Sequence, residues 1–81
     1  MINIKIKLFS HIKYVLGKDE ISMEFAPDAT TEDVEKKICA LGGEQLKSLP
    51  IRIAVNQEFI SSPHKLSNND EVALIPPVQG G

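Results

Sequence analysis

The sequence predicts an α+β domain in which one mixed sheet covers a single main helix. Three observations carry that expectation. Two segments near the start alternate apolar and polar residues and are joined by a short connection containing glycine. A capped amphipathic helix follows and is closed by Gly42-Gly43. The chain then returns to short strands, the last of them apolar at four successive positions, Val72, Ala73, Leu74 and Ile75.

The composition agrees with one small soluble domain. The 81 residues are 42% hydrophobic and 25% charged, with a net charge of −2, so a compact core is expected and disorder is not. Lysine and arginine are spread along the chain, whereas a nucleic-acid binder would gather them in a stripe. No apolar run approaches the ~20 residues that span a bilayer, and the N-terminus shows no signal-peptide pattern. Cys39 is the single cysteine and has no partner for an internal disulfide, which makes a reducing cytoplasm the expected location.

In residues 2–9, Ile2, Ile4, Ile6 and Leu8 share one strand face, and Asn3, Lys5 and Lys7 share the other. Phe9 breaks the pattern as an aromatic on the polar side. Ser10 is expected to cap a short helix over 11–16 that Gly17 ends. Residues 20–25 alternate again with Ile21, Met23 and Phe25 inward, giving an antiparallel partner for the first strand.

Pro27 closes that strand. Thr30 and Asp33 form a capping-box pattern, and Val34, Ile38 and Leu41 make an apolar stripe at i, i+4 and i+7. Gly42-Gly43 stops the helix, and 44–50 reads as a loop. Residues 51–55 are a third strand, with Asn56-Gln57 as a tight turn into 58–60. Turns are expected at 61–63 and 67–70. The final strand, 71–75, reads as covered on both faces and therefore central, beside the first. This is the β-grasp arrangement, with residues 1–75 as the domain and 76–81 as a flexible tail.

No side chain in this order announces an active site. His11, His64 and Cys39 lack metal-ligand spacing, and no metal is expected. No phosphate loop, Ser–His–Asp pattern or catalytic carboxylate pair is present; Asp70 beside Glu71 reads as a solvated pair flanking a turn. Cys39 reads as a small filler or half-exposed thiol on the helix flank rather than a nucleophile, since no neighbour in sequence obviously lowers its pKa.

Attention therefore falls on the tail, Pro76-Pro77-Val78-Gln79-Gly80-Gly81. Gly42-Gly43 has a structural cause, but Gly80-Gly81 ends no element. Two residues without Cβ let a backbone enter a channel too narrow for side chains. Two prolines before them favour an extended course away from the sheet. Six residues reach on the order of 20 Å, enough to enter a partner's buried site. The Gly81 carboxylate is expected to be the functional group.

Terminal Gly-Gly alone fits any β-grasp carrier or ubiquitin-like modifier. NDEVALIPPVQGG (69–81), with His64-Lys65-Leu66, Ala54-Val55-Asn56, Leu8-Phe9 and Gly17, resembles the small, sulfur-carrier subunit of molybdopterin synthase over the whole length. Two departures stand out. Asn69 occupies a turn position where the family often has glycine, and asparagine also tolerates positive φ. Lys13 stands where an arginine is common.

The resemblance implies that an activating enzyme resembling those of ubiquitin uses ATP and Mg²⁺ to adenylate Gly81. A sulfur donor then makes the thiocarboxylate, which the large subunit uses on a cyclic pterin phosphate. A heterotetramer is implied, and no cofactor bound to this chain. Pro76, Pro77, Val78 and Gly80 are expected to thread the tail. Phe9, Phe59 and Ile75 are expected to form the apolar patch that meets the partner. The rival readings are a carrier for thiamine synthesis or RNA thiolation, a lysine-linked protein modifier, and a plain interaction module.

Overall fold

The computed structural model describes residues 1–43, 50–60 and 63–76. The expectations for 44–49, for Ser61-Ser62 and for Pro77, Val78, Gly80 and Gly81 lie outside these residues. The elements run β1 (Ile2–Leu8), α1 (Ser10–Leu16), β2 (Glu20–Phe25), α2 (Thr31–Gly42), β3 (Arg52–Val55), β4 (Glu58–Phe59) and β5 (Glu71–Ile75). The five strands form one mixed sheet in the order β2-β1-β5-β3-β4. β1 pairs antiparallel with β2 and parallel with β5, and β3 is antiparallel to both β5 and β4. This is the β-grasp fold.

The alternation of β1 decides which face is covered. Ile4, Ile6 and Leu8 are buried, and they pack with Val72 and Leu74 of β5, Val34 and Ile38 of α2, and Ile12 of α1. Each such side chain contributes about 1.5–3 kcal/mol on leaving water. An exposed pair such as Lys36–Glu32, 3.8 Å apart one helical turn away, adds at most ~0.5 kcal/mol. Burial of this face therefore holds the fold, with surface charge a minor term.

The turns follow their residues. Asn56 and Gln57 both have positive φ, 50° and 72°, as a two-residue hairpin of the twist-matching type requires. Asn69 stands at φ 71°, so it takes the left-handed conformation for which glycine is the usual choice. Gly17 ends α1 at φ 72°, its N–H donating to the Lys13 carbonyl at 2.8 Å. The Asp33 carboxylate accepts the Thr30 N–H at 2.8 Å and completes the capping box.

Three expectations are corrected. Ser10 is not the cap of α1. Phe9 takes that position in extended conformation, and the chain turns at Ser10, whose φ is 50°. Leu41 is not in the core but 54% exposed, while Thr31 is buried. At about 100° per residue, Thr31 lies about 60° from Val34 on the Ile38 side and Leu41 about 20° on the other. The buried arc is thus centred between Val34 and Thr31. Burying Thr31 is tolerated because its Oγ1 accepts the His64 N–H at 3.1 Å, and Thr31 N–H donates to the His64 carbonyl at 3.0 Å. Finally, β5 is central as expected but covered on one face only. Val72 and Leu74 are buried, whereas Ala73 and Ile75 are half-buried on the open side.

Candidate functional site

The open face of the sheet is set by register. Lys7 pairs with Ala73, Ala73 with Ala54, and Ala54 with Phe59, while Ile75 pairs with Arg52. Directly paired residues point the same way, so all of these lie opposite the core. Ile75 and Ala54 accordingly take no part in the core cluster. Ala54 is nonetheless 5% exposed, flanked by Phe59 and Ala73 across the strands and by Arg52 along its own.

Phe9, Phe59 and Ile75 are brought to one end of this face. β1 and β5 run parallel with Leu8 opposite Leu74, so Phe9 stands beside Ile75 at the next step of the register. Phe9 is 41% exposed and Phe59 is 57% exposed. Phe59 lies three strand spacings from Phe9 and is staggered from it by two residues along the strands, which puts the two about 16 Å apart. Pro76, the first tail residue, follows Ile75 directly and is buried. The tail therefore begins at the end of β5 beside Ile75 and Phe9, with Phe59 two strands away on β4.

One member of the surface escaped the sequence reading. The Arg52 guanidinium lies over the Phe59 ring, 4.4 Å from its centroid. A signal for it existed. A two-residue turn at 56–57 places Ala54 opposite Phe59, which leaves Arg52 on the diagonal, within reach of a long side chain. Lys7, also on this face, is 3.7 Å from the Glu20 carboxylate.

The remaining candidates sit elsewhere. His11 and His64 are exposed, and Cys39 is half-buried against the core. Among the described residues, no group of three or more His, Cys, Asp or Glu is placed to hold a metal ion. No described helix is long and apolar enough to cross a membrane.

Comparison with known families aligns residues 6–81 with the ThiS family. The chain belongs to that family. This ThiS-family chain is 40% identical over 81 residues to the molybdopterin synthase sulfur carrier subunit of Dictyostelium discoideum, covering 95% of this chain and 94% of the relative. It is 33% identical over 82 residues to the protein of the same name from Escherichia coli (strain K12), covering 96% and 99%. A solved structure from Pyrococcus furiosus, provisionally named molybdopterin converting factor, subunit 1, superposes with a TM-score of 0.84. It is 26% identical, and the match covers 96% of this chain and all of that one.

Proposed function

We propose that this chain is the sulfur carrier of molybdenum cofactor biosynthesis, the small subunit of molybdopterin synthase. The observation that carries this reading is the family match running through Gly81, joined by relatives of that name matched along nearly their whole length. The chain is not an enzyme alone. It supplies a reactive C-terminus to the active sites of others.

The chemistry follows from what a carboxylate can do. Carboxylate is a poor electrophile with no good leaving group. A ubiquitin-activating-like adenylyltransferase, using ATP and Mg²⁺, joins the Gly81 oxygen to the α-phosphorus and releases pyrophosphate. A sulfur nucleophile attacks the acyl carbon, AMP departs, and a thiocarboxylate remains. In the large subunit its sulfur bonds to a carbon of the cyclic pterin phosphate as the oxygen on that carbon departs, and water then cleaves the acyl–sulfur bond, leaving the sulfur on the pterin and restoring the Gly81 carboxylate. Two rounds provide both sulfurs of the dithiolene. Pro76 and Pro77 direct the tail, Val78 and Gly80 pass through the channel, and Phe9, Phe59 and Ile75 dock the domain.

Reconstitution tests the proposal. With its cognate large subunit, activating enzyme, ATP, Mg²⁺ and a sulfur donor, the chain should convert the cyclic pterin phosphate to the dithiolene product. Absence of product, with Gly81 found linked to lysines of other proteins, would assign it to the modifiers instead.

A further inference from the structure

On the docking face just proposed, the cations are not equivalent. Lys7 has Glu20 at 3.7 Å. Arg52, by contrast, has no carboxylate within ion-pair distance among the described residues, and what it does have is the flat face of Phe59. A guanidinium stacked on a ring keeps its N–H donors in its own plane, pointing past the ring edge. The stack also fixes part of an otherwise long and mobile side chain, which lowers the entropy lost when those donors find an acceptor.

Arg52 pairs with Ile75, the last residue of β5, and so stands between Ile75 and Phe59 in the middle of the apolar end. A partner covering Phe9, Ile75 and Phe59 must also cover Arg52. A wholly apolar partner surface would then strip water from a charge without replacing its hydrogen bonds, which opposes binding. The surface that fits is apolar with one acceptor at its centre.

We infer that Arg52 pairs with a carboxylate of the large subunit, an aspartate or glutamate set in that subunit's apolar docking surface, and thereby fixes which partner and which register the carrier accepts. The inference rests on the docking role of this face. The pair is two-pronged, with the carboxylate accepting two parallel N–H bonds, a geometry a lysine ammonium cannot reproduce.

The test is a titration of the full chain with its cognate large subunit at several salt concentrations. Arg52→Met keeps an apolar cover over Phe59 but should weaken binding about thirtyfold or more, since it leaves the partner carboxylate unpaired. It should also flatten the rise of Kd with salt. Arg52→Lys, which keeps the charge, should lose about tenfold, and both variants should keep the melting temperature of the parent. Phe9→Asp, on the far side of Ile75, reports on docking alone. If Phe9→Asp weakens binding while Arg52→Met and Arg52→Lys leave Kd and its salt dependence unchanged, the carboxylate pairing is wrong and the docking face stands. If none of the three changes Kd, the docking face itself is wrong, and the pairing with it.

Discussion

Gly80→Val should reduce sulfur transfer by at least about a hundredfold without disturbing the fold. Valine adds a branched side chain and restricts the backbone at the position proposed to pass through the partner's channel. Displacing a reacting group by about 1 Å from its working geometry is enough for a loss on the order of 10²-fold. The decisive assay is a single turnover with carrier already holding its thiocarboxylate, because the activating enzyme has its own demands on the tail. Affinity for the large subunit should change little, since the sheet face is untouched. Transfer at the parent rate would mean that no narrow channel exists.

The second large effect is at the docking face. Phe59→Asp should weaken the complex with the large subunit by about 3–4 kcal/mol, a factor of several hundred in Kd. Two losses combine. An aromatic anchor disappears, and Arg52 loses the ring on which it rests. Some of the cost of burying the new carboxylate is relieved by Arg52 itself, which is close enough to pair with it. That same pairing would take Arg52 from its partner, so the relief does not restore binding. Phe59 is exposed on the two-residue strand β4, and the isolated domain should melt as the parent does. Unchanged affinity, or a chain that no longer folds, would remove Phe59 from the interface.

Where local chemistry dictated structure, the sequence was readable. Ile4, Ile6 and Leu8 against Asn3, Lys5 and Lys7 established which face of β1 is buried. The Thr30–Asp33 box, the Asn56-Gln57 turn and Asn69 each did what their side chains favour. Ser10 fails as a cap locally, through its own backbone turn, but the other two misreadings turn on the presence or absence of contact between residues distant in sequence. Thr31 is buried because the backbone at His64, 33 positions away, satisfies its hydroxyl. No helical periodicity contains that information, and periodicity alone runs the stripe through Leu41. β5 read as covered on both sides because Ala73 and Ile75 are apolar, yet their side of the sheet is open. For the candidate site, strand parity points to Phe9 and Ile75, and Phe59 joins them because it follows a polar turn. Arg52 is the omission: the 56–57 turn already sets it on the diagonal from Phe59, and the register adds its place beside Ile75.

The central claim is that Gly81 carries sulfur, and one mass measurement addresses it most directly. After incubation with activating enzyme, ATP, Mg²⁺ and a sulfur donor, one terminal oxygen should be replaced by sulfur. Oxidation adds nearly the same mass, and Met1, Met23 and Cys39 are all oxidisable. Lys65 is the last basic residue, so trypsin releases residues 66–81 as one peptide containing neither methionine nor cysteine. The predicted result is a shift on that peptide, confined to its C-terminal fragment and absent when Gly81 is deleted. A shift found only on peptides that contain Met1, Met23 or Cys39 would contradict the carrier assignment.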